Sequence, residues 1–292
     1  MSNRLQNSWE LVKASAKVLE QDKGLLVFPL LSGLASVLLA VSFVVPFIVS
    51  DSLRAAFDGQ NAGWLAGGLT FAFYLSQYFV IFFANAALVG ATLIRLRGGT
   101  PSFGAGLAVA TRHIGSLFVY SLISATVGMV LRAIAERAGF IGRIIISLIG
   151  AAWSIATFLV VPVLVSEQLG PVDAISRSMA LLKKSWGEQV VAGAGIGLVF
   201  NWLTILSLLL FAGGMWLTAG VFNSPIATLP VVGLLFMWLL GLSLLRATLS
   251  GIFAAVLYRF AAEGAVGELG SAFRPELIQS AFRPTVRSQL SA

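Results

Sequence analysis

One arginine stands inside a long apolar run and is the residue best suited to chemistry. Arg246 lies 12 residues before Tyr258, about 18 Å at the 1.5 Å rise per residue of a helix. We therefore expect it near the centre of a bilayer whose hydrocarbon core is about 30 Å thick. Inserting an arginine there costs roughly 2.5 to 3.5 kcal/mol, so such residues usually face a bundle interior or a cavity. Ser243 and Ser250 share its predicted helix face.

Further polar side chains fall at a similar predicted depth: Asn85, Asn201, Thr157 and Ser124. No acidic residue lies at comparable depth in the apolar runs, so Arg246 must use neutral acceptors, water or an anion. This predicted midplane belt has two interpretations. It is either a site that binds or passes an anion or a polar headgroup, or a set of hydrogen bonds that joins helices, worth on average about 0.6 kcal/mol each.

The elements that must position these residues are membrane helices. Of the 292 residues, 58% are hydrophobic and 11% are charged, whereas roughly 45–50% and 25% are usual for soluble domains. In hydrocarbon each backbone amide must be bonded within its own segment, so long apolar runs predict helices. We predict an all-α membrane protein with six transmembrane helices, at residues 24–49, 63–95, 114–132, 140–166, 188–222 and 228–260.

The orientation follows from the cations between the runs. One side carries fourteen Lys and Arg residues and the other carries four. Because cytoplasmic connections are enriched in Lys and Arg, we expect both termini in the cytoplasm of a multi-pass protein.

An amphipathic segment precedes each odd-numbered span, with apolar residues at helical spacing in residues 5–22, 103–114 and 172–186. We infer three hairpins, each preceded by an amphipathic helix on the cytoplasmic face. The single transmembrane domain, 1–262, then contains three pseudo-repeats at about 5–97, 101–168 and 171–262. The alternative is that these segments are ordinary helical loops.

Basic and aromatic side chains on these segments suit anionic lipid headgroups and the membrane interface. The candidate headgroup contacts are Lys13, Lys17, Arg112, Lys183, Lys184, Trp9 and Trp186. The remaining residues, 263–292, repeat Phe-Arg-Pro and are either a docking motif for a protein partner or a flexible cytoplasmic tail.

Several classes of chemistry are excluded by composition. Cysteine is absent and histidine occurs once, which excludes disulfides, thiolate catalysis and multi-histidine metal sites. No phosphate-binding loop or pair of catalytic carboxylates is visible, and Glu167 is expected to pair with Arg177 rather than to act as an acid or base. We predict no enzyme, catalytic residue, metal or cofactor. The cations behind the net charge of +7 lie between the apolar runs, so they indicate membrane topology rather than a nucleic-acid partner.

Four strings resemble a widespread family of prokaryotic six-span membrane proteins classed as a domain of unknown function: SWELVKASAKVLEQDKGLLVFPLLSG, FFANAALVGATLIRLRGGTPSFGAGLAVA, FLVVPVLVSEQLGPVDAISRSMALLKKSWGE and AVLYRFA. More distantly, the Pro162 to Glu167 and Ser178 to Lys184 patterns are similar to the membrane part attached to some glycerophosphodiester phosphodiesterases. The attached hydrolase barrel is missing, so no hydrolase activity is implied. The resemblance implies a protein of the prokaryotic plasma (inner) membrane.

Two functions therefore compete. The first is a membrane scaffold or lipid-associated factor without catalytic activity, which fits the lack of the intramembrane acidic or histidine residue that ion-coupled transporters commonly use. The second is a passive channel or facilitative transporter for an anion or amphiphile, using the midplane belt.

Overall fold

The computed structural model describes residues 16, 19–20, 22–50, 62–184, 189–217 and 225–263, and every regular element in these ranges is helical. A 3-10 turn at Lys23–Leu26 leads into the first helix. The α-helices are α1 (Val27–Val49), α2 (Ala62–Leu96), α3 (Phe103–Arg112), α4 (Ile114–Arg137), α5 (Phe140–Ala156), α6 (Val160–Ser166), α7 (Pro171–Lys184), α8 (Gln189–Trp216) and α9 (Pro225–Glu263).

Six stretches of this helical structure are long and apolar enough to cross a membrane. They are Lys23–Pro46, Gly63–Leu96, Ile114–Arg137, Phe140–Ser166, Val199–Trp216 and Pro230–Arg259. The predictions of an all-α chain and of six apolar spans are thereby confirmed.

The fourth predicted span, residues 140–166, contains Pro162, which indicated a bend or a span end, and the structure shows an interrupted helix there. The chain leaves the helix at Thr157–Leu159, between α5 and α6. Pro162 has no N–H to donate to the carbonyl of Phe158, four residues earlier, and proline is accommodated best in the first turn of a helix. The helix therefore ends before the proline and restarts with Pro162 in its first turn.

Helix α2 is the centre of the assembly. It packs against α1, α3, α4, α6 and α9, whereas α8 packs along α9, and α5 contacts α4 and α7. Aromatic stacking joins α2 to α4, with the rings of Phe82 and Tyr120 4.5 Å apart.

Burial is concentrated at one end of the helices, here called the packed end and defined by the stretches 86–96 of α2 and 248–258 of α9. The 3-10 turn, α6 and α7 contribute their buried residues to the same hydrophobic cluster. Away from this end the helices have little protein around them. Helix α5 has no buried residue and Phe140 at its start is 81% exposed. Such surfaces are stable only in lipid or under a partner.

Candidate functional site

A pocket of about 270 Å³ lies beside the packed end, between α1, α2 and α9. Its wall is mostly apolar and is completed by Phe158 from the break between α5 and α6. The lining residues include Ser32, Ala84, Asn85, Phe158, Ser250 and Gly251.

Three uncharged polar side chains face this pocket, one from each of the three helices: Ser32, Asn85 and Ser250. Among the residues that the structure describes, none of the three makes a side-chain hydrogen bond. Other helical hydroxyls bond to their own backbone, as Thr248 does to the carbonyl of Leu244 at 2.7 Å. The pocket therefore presents unused donors and acceptors against an apolar background.

Gly251 allows α9 to come close to α2 at the pocket. A Cβ atom at this position would lie 2.5 Å from Cδ2 of Leu88 and 3.1 Å from Oδ1 of Asn85. Small residues at helix contacts in membranes permit such close approach. The absent side chain leaves the amide of Asn85 uncovered at the pocket.

The pocket lies next to the contact between α3 and α2. Gly106 of α3 packs so tightly that a Cβ would lie 2.7 Å from the carbonyl oxygen of Ala87 and 2.6 Å from Cζ of Phe28. The ring of Phe28 stacks on that of Phe103 at 5.3 Å. Helix α3 therefore forms part of the packed end. Its contact on α2, at Ala87, is two residues after Asn85.

The structure brings only part of the predicted midplane belt together. Asn85 and Ser250 meet in the pocket, whereas the exposed Arg246, Asn201 and Ser243 do not line it. Ser243 bonds to the carbonyl of Leu240 at 2.8 Å. The belt is thus not a single site in the described part of the chain, and its role stays a prediction.

Arg246 points along the contact between α9 and α8. Its Nη2 lies 3.9 Å from where a Cβ of Gly197 would be. Within the described ranges its guanidinium makes neither a hydrogen bond nor an ion pair, so no bond joins it to Asn85 or Asn201.

Thr157 lies in the helix break, away from the pocket. Its hydroxyl donates to the carbonyl of Trp153 at 2.8 Å. It also lies beside the hydroxyl of Tyr120, on α4. Ser124 is buried next to the same tyrosine. These residues join α4 to the end of α5.

The candidate headgroup contacts are only partly described. Arg112 at the end of α3 and Lys183 near the end of α7 are exposed. Lys184 is the last residue of α7. Four further candidates lie outside the described residues: Trp9, Lys13, Lys17 and Trp186.

The predicted pair of Glu167 and Arg177 is confirmed, with Nε 3.0 Å from Oε2. Tyr258 of α9 also donates to Oε1 of the same carboxylate, at 3.1 Å. This link ties the middle of α7 to α9 and was not predicted, because the tyrosine is 91 residues away in the sequence.

The sequence reasoning also missed Ser32 and Ser178. Ser178 is fully buried on α7, and its hydroxyl bonds to both sides of the helix break. One signal was available in the sequence: Ser178 lies four residues after Ala174 and three before Leu181, at helical spacing. The structure shows that all three residues are buried.

A family described as being of unknown function, DUF6159, matches residues 66–268. The chain belongs to the DUF6159 family. The match begins in α2 and covers every helix from there to α9. The pocket residues on α2, at the break and on α9 therefore lie within the DUF6159 region. The pocket residues on α1 precede it. A comparison with curated proteins finds no match.

Proposed function

We propose that this protein is a lipid-associated membrane protein without catalytic activity, and that its pocket holds the uncharged polar part of a membrane lipid. The observation that carries this proposal is the set of three unpaired polar side chains, Ser32, Asn85 and Ser250, in an otherwise apolar pocket. Ligand pockets are typically apolar with a few polar groups that fix orientation.

The chemistry of the three groups favours the glycerol and ester region of a lipid. Hydroxyl and amide groups donate to ester carbonyls and accept from glycerol hydroxyls. None of the lining residues is charged, so the pocket suits these groups better than a bare phosphate. At about 270 Å³ it is close to the lower limit of roughly 300 Å³ for ligand pockets, which fits part of an amphiphile.

The burial pattern supports a position for the pocket near one membrane boundary. From Pro230 to Ala247 no residue of α9 is buried, and from Thr248 to Tyr258 almost every residue is. The first stretch is about 27 Å long at 1.5 Å per residue, close to the hydrocarbon thickness of about 30 Å. We propose that it is the part of α9 that crosses the lipid.

This position would move Arg246 from the predicted bilayer centre to the end of the lipid-facing stretch. An arginine at such a boundary extends its guanidinium to the headgroups, so its insertion is far less unfavourable. Arg246 would then contact the phosphate of a lipid, one helical turn from Ser250 in the pocket.

We further propose that the packed end faces the cytoplasm of a prokaryotic inner membrane, as the family resemblance implies. Its cations support this orientation, since Arg95, Arg97 and Arg259 lie there and cytoplasmic boundaries are rich in such residues. Contacts of α1 with α2, of α4 with α5 and of α8 with α9 support the three-hairpin arrangement.

Two finer proposals come from the sequence alone. The exposed cations Arg112 and Lys183 would contact anionic headgroups, and the tail would bind a protein partner.

Lipid retention tests the proposal directly. The protein would be extracted in native-lipid nanodiscs, transferred to mild detergent and analysed by native mass spectrometry. We expect one bound phospholipid, and we expect Asn85→Leu to lower its retention about five-fold, because one hydrogen bond is worth about 1 kcal/mol. Asn201→Leu, on an exposed face outside the pocket, is the matched control.

A second pair of variants separates the pocket from the rest of α9. Ser250→Ala should weaken retention, whereas Ser243→Ala, two turns earlier and exposed, should not. Equal retention by all four variants would show that the lipid binds elsewhere. A wild-type protein that loses every lipid would refute the proposal.

The second candidate function is passive passage of an anion or amphiphile. It is supported by the exposed guanidinium of Arg246, which has no bonded partner among the described residues. In proteoliposomes it requires a flux that Arg246→Gln abolishes. Lipid retention without such flux favours the first function.

A further inference from the structure

The break between α5 and α6 frees several backbone groups, among them one acceptor and one donor that α7 reaches. In a continuous helix, Val160 N–H would donate to the carbonyl of Ala156 and Leu159 N–H to that of Ile155. Instead Val160 bonds to the carbonyl of Thr157 at 3.1 Å, and Phe158 bonds to that of Ile155, also at 3.1 Å. The carbonyl of Ala156 and the N–H of Leu159 therefore lose their partners within the helix.

A single hydroxyl replaces both lost partners. Ser178 of α7 donates to the carbonyl oxygen of Ala156 at 2.7 Å, and its oxygen accepts from the N–H of Leu159 at 3.2 Å. Ser178 and Leu159 are both 0% exposed, so water has no access to the bond between them, and the bond to Ala156 is part-buried. Unpaired backbone groups at such a place are strongly unfavourable.

The residue between these two bonds forms a wall of the pocket. Phe158 lies between Ala156 and Leu159, lines the pocket, and packs against Phe253 of α9 with ring centroids 6.2 Å apart. Ser178 bonds to Ala156 before Phe158 and to Leu159 after it. The position of Phe158 therefore depends on the position of α7.

Helix α7 has a buried face, an exposed face and a link to α9. Its inner face carries Ala174, Ser178 and Leu181, whereas Val172 and Lys183 are exposed. Its middle is tied to α9 through the carboxylate of Glu167, which Arg177 and Tyr258 share. Any displacement of α7 must break these bonds or move the break with it.

We infer that Ser178 is a positioning residue for the pocket, and that through it α7 holds the Phe158 wall against α9. This inference rests on the proposed function, because it makes α7 the element that determines whether the pocket retains its lipid. Without the hydroxyl, the segment 157–159 loosens and the pocket opens on the side of the break.

The absence of cysteine in the chain allows a clean probe of the pocket. Ala84→Cys places a thiol in the pocket wall on α2 with little added volume. Its rate of modification by a small maleimide would be measured in nanodiscs, in combination with Ser178→Ala or with Ser176→Ala. Ser176 is exposed on the same helix and is the matched control.

We expect Ser178→Ala to raise the modification rate about ten-fold over the Ser176→Ala background and to reduce lipid retention. Equal rates in the two backgrounds would overturn the inference. A raised rate in a protein whose wild type holds no lipid would leave the positioning role intact and refute the proposed function, so the two failures are distinguishable.

A second variant decides the matter if Ser178→Ala does not fold. Arg177→Gln weakens the attachment of α7 at a half-exposed position, where the protein should tolerate it. We expect a smaller rise in the same rate, about three-fold. An unchanged rate in folded Arg177→Gln would count against the inference.

Discussion

The contact between α3 and α2 makes opposite predictions for two glycines of one helix. At Gly106 a Cβ would lie 2.7 Å from the backbone oxygen of Ala87 and 2.6 Å from the ring of Phe28. At Gly104, two residues earlier, nothing lies within 4 Å. The backbone atom cannot rotate away, so Gly106→Ala must push α3 off α2 by several tenths of an ångström.

The magnitude follows from two opposing terms. Overpacking a dense contact costs typically about 1–3 kcal/mol, while replacing glycine within a helix by alanine gains roughly 0.5–1 kcal/mol. We therefore expect Gly106→Ala to lower the free energy of unfolding by about 1–2 kcal/mol. Gly104→Ala, which carries only the favourable term, should raise it by about 0.5 kcal/mol.

Reversible unfolding in mixed micelles, followed by circular dichroism, measures both variants against the wild type. The sign of the difference is the test, because both substitutions add the same methyl group to the same helix. If Gly106→Ala were as stable as Gly104→Ala, α3 would not be packed on α2 as described, and its place in the packed end would have to be abandoned.

Further predictions concern other contacts of the bundle. Ser178→Ala should lower the free energy of unfolding by about 2–4 kcal/mol, since it leaves two buried backbone groups unpaired, whereas Ser176→Ala should stay within about 0.5 kcal/mol; the same unfolding assay compares them, and similar values would contradict the bonding described at the break. Trp238→Phe removes the 2.8 Å bond from the indole to Ser207 and should cost about 0.6 kcal/mol, the mean for such bonds in membranes, measured against Trp202→Phe, which is exposed on α8. A reporter fused to the C-terminus should be active only in its cytoplasmic form, and activity outside the cell would reverse the proposed orientation.

The sequence alone predicted the helices that depend only on local interactions. The run predicted at 63–95 corresponds to α2 at Ala62–Leu96, and the run at 228–260 corresponds to α9 at Pro225–Glu263. In lipid, apolar length alone forces a helix, so no knowledge of the neighbours was needed. The pair of Glu167 and Arg177 was predictable for the same reason, because only a short turn separates them.

The features that depend on distant contacts could not be predicted. Pro162 indicated a bend, but the break is stable because Ser178, 22 residues beyond Ala156, supplies the missing bonds. Asn85 and Ser250 were placed in one layer by counting residues, yet their meeting requires the absent side chain of Gly251. Ser32 gave no signal, because serine is common in membrane helices.

The uneven burial of the helices has a consequence for how the protein meets membranes of different thickness. Beyond the packed end, neither α5 nor the stretch of α9 from Pro230 to Ala247 contains a buried residue, so little dense packing fixes their tilt. A change in bilayer thickness is accommodated by tilting, at fractions of a kcal/mol per ångström of mismatch. Such adjustments would occur along these sparsely packed stretches, and the geometry around Asn85 at the packed end would be insulated from them.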